Sequence, residues 1–324
     1  MPALTGWPVR QALLALALIL GGCASQVQLP AQSERLPSRV ELTEVPFYPQ
    51  DEYQCGPAAL ATMLVQRGVS TSPEQLKPQV YLPQRKGSLK LELVAAARQH
   101  GMLVYPLQPN LDALLTQVAA GNPVLVMQNL GFDWYPQWHF AVVVGFDRSQ
   151  RELVLRSATV ERWTTDFTSF DKTWARAKRW AVVTLPPDRL PQEAQLQPWL
   201  QAASDLEETG RRTDAERAYR TAAEHWPDEA MPALALGNAR HAEGDRVGAE
   251  AALRDSIHRQ PDFTVGWFNL GELLNERGCP QQAAVARTCA QQLAPDDARF
   301  KAPLGASAKA ANGSCTALPQ CPAL

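Results

Sequence analysis

The sequence predicts an α+β domain followed by an all-α solenoid of short helical repeats. Between residues 45 and 187, apolar residues at helical spacing alternate with short runs rich in β-branched residues, which indicates mixed helices and strands. Between residues 196 and 298, glycines and prolines recur at a constant interval, which indicates a repeat. The chain has 324 residues, 45% of them hydrophobic, and a net charge of −2. It is therefore long enough for two cores, and its charge gives no basis for a nucleic-acid partner.

The N-terminus predicts a signal peptide. Arg10 is the only charged side chain before Gln11–Leu20, an apolar run of about ten residues, whereas a helix that spans a bilayer needs roughly twenty. The next residues, Leu20-Gly21-Gly22-Cys23, resemble a lipobox, and the resemblance implies lipidation of Cys23 and cleavage just before it. An ordinary signal peptide with an incidental cysteine is the alternative. Because Ala24 rather than Asp follows the cysteine, the resemblance favours an outer-membrane anchor with the protein facing the periplasm.

Changes in composition divide the chain into six segments. Residues 24–44 are polar and contain two prolines, so they predict a tether. Pro186-Pro187 predicts the end of the α+β domain. The predicted segments are a signal peptide (1–22), a lipidated tether (23–44), the α+β domain (45–187), a linker (188–195), three helical repeats (196–298) and a cysteine-containing tail (299–324).

Cys55 is the candidate nucleophile. The residues that follow it have apolar side chains at helical spacing, with Pro57 suited to a first turn and Gly68 to a stop. Cys55 is therefore predicted at a helix N-terminus, where unsatisfied N–H groups and the helix dipole should lower the pKa of its thiol. A thiolate is the nucleophile that acyl transfer from a peptide requires. A buried cysteine with no chemical role is the alternative.

Two histidines of this domain could serve as the base. His100 ends a helical pattern just before a glycine, which is typical of a structural histidine at a helix C-terminus. His139 begins the apolar run to Gly145, a buried strand by its β-branched content, and follows the aromatic segment 131–138, which is expected to line a cleft. A histidine on a strand edge beside a cysteine at a helix start is the arrangement of papain-like enzymes.

The cysteine box Gln50…Cys55-Gly56-Pro57-Ala58-Ala59-Leu60 and the histidine box from Trp138 to Gly145 resemble the bacteriocin-processing double-glycine peptidases, a papain-like family. The resemblance covers about residues 45–187 and implies Cys55 as nucleophile and His139 as base. It also implies that a glutamine before the cysteine donates to the oxyanion. Gln50 fits this role best, although it lies five residues before Cys55 where the family more often has six, and Gln54 is the less favoured substitute. No transporter is fused here, so the family's leader-peptide substrate is not transferred.

The third catalytic position departs from the family. The family places an Asp on the strand beside the histidine strand, and cross-strand counting from a hairpin centred near residue 148 places Ser157 opposite His139. A serine hydroxyl can accept a hydrogen bond from the imidazole, but it does not stabilise an imidazolium as a carboxylate does. Asp147 is expected to lie too far away, and Asp166 and Asp171 are candidates only if the chain folds back.

The second half repeats every 34 residues, the tetratricopeptide period. Pro227, Pro261 and Pro295 keep this interval, as do Gly210, Gly244 and Gly278. Trp267-x2-Leu270-Gly271, followed by Ala283 and Pro295, resembles the tetratricopeptide signature. Each repeat is predicted as two helices around a turn, and the array as a binding surface for a protein partner. An array that only stabilises the first domain is the alternative.

Four further cysteines lie in the last repeat and the tail. Cys279 and Cys289 would be about 15 Å apart on one helix, so they cannot bond to each other. In an oxidising periplasm, our hypothesis is that they pair with Cys315 and Cys321, so that the tail covers the open end of the array. Free buried thiols are the alternative.

Two functions remain open at the level of sequence. The first is a membrane-anchored periplasmic cysteine peptidase, or a related acyl-transfer enzyme, that acts on a protein or peptide recruited by the repeats. The second is a catalytically weak or inactive scaffold that binds peptides, for which Ser157 is the best argument. No Cys-x2-Cys or His-x3-His spacing is present, so no metal and no cofactor are predicted.

Overall fold

The computed structural model describes residues 34–49, 54–301, 304–305 and 315–323. Cys23 and Gln50 lie outside the described residues. The lipid anchor and the favoured oxyanion glutamine therefore stay predictions.

The first part of the chain is built on one antiparallel sheet with helices on both faces. The strands are β1 (Arg39–Glu41), β2 (Leu103–Pro106), β3 (Val124–Asn129), β4 (Trp138–Asp147), β5 (Glu152–Ser157), β6 (Val160–Asp166) and β7 (Ala181–Leu185). They pair antiparallel in the order β2-β7-β3-β4-β5-β6, and β1 pairs with β4. The helices of this part are α1 (Cys55–Val65), α2 (Pro73–Val80), α3 (Lys90–Gln99), α4 (Leu111–Ala119) and α5 (Phe167–Arg176).

Strand β4 is buried on both faces, as its β-branched run predicts. Phe140, Val142 and Val144 pack with α1, α2 and α3 in one hydrophobic cluster. Ala141 and Val143 belong to a second cluster, with residues of α4 and α5, on the opposite side. The sheet is therefore the middle layer of three, and the helix that begins at Cys55 is held against β4 by apolar burial.

The boundary of the α+β domain lies earlier than predicted. Residues 39–41, placed in the tether by their polarity, form β1 and pair with β4 from Gly145 to Asp147. Arg148 adds to this attachment by donating hydrogen bonds to the carbonyls of Leu36 and Pro37. A three-residue strand in a polar segment has no periodic signal of its own, and its partner lies more than a hundred residues away.

The second part of the chain consists of six helices that alternate as first and second members of three pairs. They are α6 (Leu196–Glu208), α7 (Arg212–His225), α8 (Ala230–Ala242), α9 (Arg246–Arg259), α10 (Thr264–Glu276) and α11 (Pro280–Leu293). The first helices begin 34 residues apart, and so do the second helices. The turns inside the pairs contain Gly210, Gly244 and Gly278 with φ of +82°, +84° and +77°, a conformation that glycine adopts without strain. The predicted helical organisation of this region is confirmed.

Two disulfides fix the tail to the last helical pair. Cys279 bonds to Cys315 and Cys289 bonds to Cys321, with Cα atoms 5.7 and 5.5 Å apart. Leu318 of the tail packs against the hydrophobic cluster that contains Cys279 and Cys289. The hypothesis that both cysteines of the last repeat pair with the tail is confirmed, and the alternative of free thiols is wrong.

The two parts share a hydrophobic core. Trp199 and Leu200 of α6 belong to the same buried cluster as Leu103 and Leu185 of the sheet. Among polar contacts, the backbone N–H of Gln195 donates to Tyr105 Oη over 3.0 Å. The linker also carries a pair of hydrogen bonds between Gln192 and the side chain of Gln117. The helical region is thus docked on the edge strand β2 rather than joined by a free linker.

Within the described residues, no helix is both long and apolar enough to cross a membrane.

Candidate active site

The candidate nucleophile lies at the first residue of α1, as predicted. Gln54 occupies the N-cap position, but its side chain makes no capping hydrogen bond. The backbone N–H groups of Cys55, Gly56 and Phe140 point towards the Cys55 sulfur. The sulfur therefore lies where the start of α1 meets the residue that follows His139 on β4.

The expected lowering of the Cys55 pKa is wrong in sign. Burial of the thiol raises its pKa, and the three backbone N–H groups only partly offset this effect. The helix terminus stabilises a thiolate, but removing the sulfur from water costs more. At neutral pH the Cys55 side chain therefore rests as a thiol.

His139 forms a hydrogen bond with Ser157, the predicted third residue. His139 Nε2 and Ser157 Oγ are 2.8 Å apart. The register differs from simple counting, because a β-bulge between Val143 and Gly145 shifts the pairing, and Val142 lies opposite Arg156. Ser157 therefore reaches His139 diagonally rather than from the directly opposite position. The Nδ1 atom is left for the thiol, which requires the tautomer in which Nε2–H donates to Ser157.

Among the described residues, no carboxylate is hydrogen-bonded to His139. Burial lowers its pKa to about 4, and no charged group offsets this effect. The aspartates weighed as third residues are engaged elsewhere: Asp147 accepts from Ser149 in the β4–β5 turn, Asp166 caps α5, and Asp171 pairs with Arg179. The imidazole is consequently neutral at neutral pH, and the Cys55 thiol and the His139 imidazole both rest uncharged.

Cys55 and His139 line one cavity of about 900 Å³. One wall is the aromatic segment predicted to line a cleft, including Tyr135 and Trp138. The other wall is the loop 85–89 between α2 and α3, which no sequence pattern marked. The cavity is open to solvent at its mouth and is large enough for several residues of an extended peptide.

The second wall is packed tightly against the nucleophile helix. A Cβ atom added to Gly56 would lie 2.2 Å from Ser88 Oγ and 2.5 Å from Ser88 Cβ, so the loop needs glycine there. Ser88 Oγ is buried and has no hydrogen-bond partner among the described residues. The loop and the first turn of α1 are therefore in direct contact.

Arg156 ties the segment before the nucleophile to the strand that carries Ser157. Its guanidinium is buried and donates to the carbonyls of Thr43, Val45 and Glu161. Its position in the apolar strand Glu152–Ser157 was a signal that a charged side chain there has a specific task. Arg156 therefore helps to hold residues 43–45 beside the site.

The second histidine of the domain takes the predicted structural place. His100 is the C-cap of α3, and its backbone N–H bonds to carbonyls of that helix. Within the part of the chain that the structure describes, no group of three metal-ligating side chains converges.

Comparison with known protein families supports a peptidase-type domain. Residues 42–182 match the model of the Peptidase_C39 like family. This match covers less than half of the chain and concerns the α+β domain alone. It includes Cys55, His139 and Ser157, and it supports the prediction of a cysteine peptidase, a hydrolase. A comparison with curated proteins found no match.

Solved structures with detectable likeness include three peptidase structures. A C39-like peptidase of Bacillus anthracis has 17% identity and a TM-score of 0.39, covering 46% of this chain and 98% of its own. The peptidase domain of Streptococcus ComA has 20% identity and a TM-score of 0.35, covering 44% and 99%. Xylellain, a cysteine protease of Xylella fastidiosa, has 11% identity and a TM-score of 0.34, covering 49% and 90%. Because these TM-scores and sequence identities are low, the prediction of a cysteine peptidase rests on the match to the family model and not on these structures.

Proposed function

We propose that this chain is an envelope cysteine peptidase in which Cys55 attacks a peptide bond and His139 is the general base. The observation that carries the proposal is the cavity that contains both side chains, with Cys55 at a helix N-terminus. A nucleophile and a base that share a cleft are the minimum for covalent acyl transfer. The match of residues 42–182 to a peptidase family supports the same chemistry.

The neutral resting state defines the first step. As the Cys55 sulfur attacks the carbonyl carbon, its proton passes to His139 Nδ1, and Ser157 Oγ accepts the Nε2–H of the imidazolium. His139 then gives the proton to the leaving amine, and an acyl-enzyme remains on Cys55. Water hydrolyses the thioester by the same route in reverse. His139 thus acts at the moment of attack, because burial disfavours a thiolate–imidazolium pair at rest.

The start of α1 supplies donors for the oxyanion. The N–H groups of Cys55 and Gly56 lie at the uncapped end of the helix, where the dipole favours negative charge. Gln50 is the proposed side-chain donor, and its role rests on its position before the cysteine. Ser88 is among the residues that line the same cavity.

The helical region is proposed as a tetratricopeptide array that recruits a protein substrate or partner. Its 34-residue helix period and the buried Trp267 of the signature support this assignment. Two adjoining grooves run along the first helices of the pairs, and both include Asn238. The larger groove is about 330 Å³ and includes Gln201 and Met231; the smaller is about 220 Å³ and includes His241 and Asn269. Amide side chains in a row suit the backbone of an extended polypeptide.

Lipidation of Cys23 is proposed to anchor the protein at the outer membrane, facing the periplasm. The lipobox-like sequence at residues 20–23 supports this. Two disulfides in the tail are consistent with an oxidising compartment.

The test is cleavage of a complex peptide mixture by the full chain, with products identified by mass spectrometry. Wild-type protein should give new peptide termini, and Cys55→Ala and His139→Ala should give none. Val285→Ala, on the exposed surface of the last helix, is the matched control and should cleave like wild type. Equal products from wild type and Cys55→Ala would contradict the proposal.

A scaffold that binds peptides without cleaving them is the second candidate. The observation that favours it is the hydroxyl of Ser157, rather than a carboxylate, on His139 Nε2. A scaffold would retain peptide affinity in the cavity while a thiol-reactive peptide aldehyde fails to form its hemithioacetal with Cys55. Formation of that adduct in wild type and its loss in His139→Ala would favour the enzyme.

A further inference from the structure

The segment before His139 displays exposed aromatic side chains, and two of them do not line the cavity. We call residues 130–138 the aromatic hairpin. Its large apolar side chains are all at least half exposed: Leu130, Phe132, Trp134, Tyr135 and Trp138. Trp134 is 81% exposed. A contiguous exposed patch of this kind is rare on a soluble protein unless the patch binds something.

The hairpin is rigidly built, so the exposure is not that of a loose loop. Phe132 and Tyr135 exchange two backbone hydrogen bonds of 3.2 and 3.1 Å around a two-residue turn. Asn129 Oδ1 accepts from the N–H groups of Gly131 and Gln137. Arg176 of α5 donates to the carbonyl of Gly131 over 2.7 Å. The frame presents the rings in one fixed arrangement, which lowers the entropy lost on binding.

The two rings at the tip of the hairpin are not part of the cavity wall. Phe132 and Trp134 are stacked, with ring centroids 5.5 Å apart and planes 8° from parallel. Neither of them lines the cavity, whereas Leu130, Tyr135 and Trp138 do. A peptide in the cavity would therefore cover the inner part of the hairpin and leave the stacked pair in water.

A lipid surface fits the shape and chemistry of this tip. The exposed, stacked rings of Phe132 and Trp134 suit insertion among headgroups. Tryptophan and tyrosine have amphipathic rings that prefer the membrane–water interface. The other wall of the cavity contains Arg85 and Lys86, and Lys90 follows at the start of α3. No acidic residue lies between residues 83 and 90, so the positive charge of this stretch complements lipid phosphates. Asp133 is the only acidic residue in the hairpin.

The place of the N-terminal segment is compatible with this contact. β1 pairs with β4 at Asp147, and the hairpin joins β4 at Trp138, so the two lie at opposite ends of a strand about 30 Å long. The 15 residues from 24 to 38 span at most about 50 Å when extended. An anchor at Cys23 and a membrane contact at the hairpin can therefore coexist.

We infer that the aromatic hairpin inserts Phe132 and Trp134 into a bilayer surface of anionic headgroups and holds the mouth of the cavity at that surface. This inference goes beyond peptidase activity and does not require it. Together with the proposed function, on which this last step rests, it places the substrate: a polypeptide segment that lies at the membrane–water interface.

The test uses the full chain labelled with 5-fluorotryptophan and bound to vesicles of phosphatidylethanolamine and phosphatidylglycerol that contain a nitroxide-labelled lipid. The ¹⁹F signal of Trp134 is assigned by its loss in Trp134→Phe, and that of Trp163 by its loss in Trp163→Phe. Trp163 is a matched control within the same molecule, because it is 50% exposed on β6 and lies outside the hairpin. The readout needs no peptidase activity.

The Trp134 signal should broaden at least about threefold more than the Trp163 signal when the nitroxide lipid is present. Equal broadening of the two signals would overturn the inference. If Trp134 is unaffected by lipid but shifts when a peptide substrate is added, the hairpin belongs to the peptide-binding surface, and the membrane assignment is wrong.

Discussion

The two parts of this protein bury their interiors by different means. In the α+β domain, strand pairs join distant residues, such as Arg39 with Asp147, and the site gathers side chains from several separate segments. In the helical region, each helix packs mainly on its neighbours, and the end is closed by covalent bonds. Under the proposed function, the first kind of packing serves catalysis and the second serves the binding of a partner. Long-range packing can hold a thiol and an imidazole out of water, whereas a local repeat offers a regular surface.

Cysteine shows the same contrast within one residue type. Cys55 is the one free cysteine of the described residues, and it is kept in a cleft. The other four described cysteines are all in disulfides of the helical region. Changes to the first group should therefore alter reactivity, and changes to the second should alter stability.

The largest expected effect is on catalysis. Cys55→Ala should lower kcat/KM by at least about a thousandfold, because the step that forms the acyl-enzyme is lost. Its melting temperature should stay within a few degrees of wild type. The measurement is initial cleavage rates beside thermal unfolding, and a variant that retains a tenth of the activity would remove Cys55 from the mechanism.

The next effect is on stability. The double substitution Cys289→Ala with Cys321→Ala should lower the free energy of unfolding by about 3–4 kcal/mol, since it releases a closure of about 32 residues. The rate of alkylation of Cys55 should not change. Urea unfolding and iodoacetamide labelling of the same samples test both halves, and slower labelling would show that the tail and the cleft are coupled.

The third effect concerns pH. Because attack requires a neutral imidazole and the His139 pKa is about 4, kcat/KM should be lost as pH falls through about 4 and be level above about pH 5. Ser157→Asp should raise the His139 pKa, move this limb to higher pH and raise the plateau by about tenfold. Ser157→Asn is the control variant, because its side chain is close in size to Asp but carries no charge. An unchanged limb in Ser157→Asp would show that residue 157 does not tune the base.

The smallest expected effect is on the stability of the contact between the α+β domain and the helical region. Arg98 on α3 forms an ion pair with Asp205 on α6, across the boundary. Asp205→Ala should cost about 1 kcal/mol, and unfolding should remain a single transition because the hydrophobic cluster is shared. Asp255→Ala, which removes a pair within α9, is the matched control. Two resolved transitions in the Asp205 variant would show that the docking is weaker than its buried residues indicate.

Local patterns predicted much of the fold. The six helices follow from a period that each segment carries in itself, and the strand from residue 138 follows from its β-branched run. The strand β1 was missed because three residues in a polar segment acquire their structure only by pairing with β4.

The position of the candidate site residues could be predicted from the sequence, but their electrostatics could not. Cys55, His139 and Ser157 could be chosen from motif and register, and the structure brings His139 and Ser157 into hydrogen-bond contact. The direction of the Cys55 pKa shift depends on how much water the folded chain excludes, which no linear pattern reports. The loop with Ser88 was missed for the same reason, since only the folded chain brings it to Gly56.

The hydrophobic core that the two parts share at β2 leaves no flexible joint between the cavity at Cys55 and the grooves of the helical region. Because Trp199 and Tyr105 lie in one packed cluster, the distance from Asn238 to Cys55 is fixed by the fold. A polypeptide gripped along the helices would have to span that gap with a set number of residues before a bond could reach the sulfur. The molecule would then act as a ruler, and the site of cutting would be measured in residues from the gripped element rather than chosen by local sequence alone.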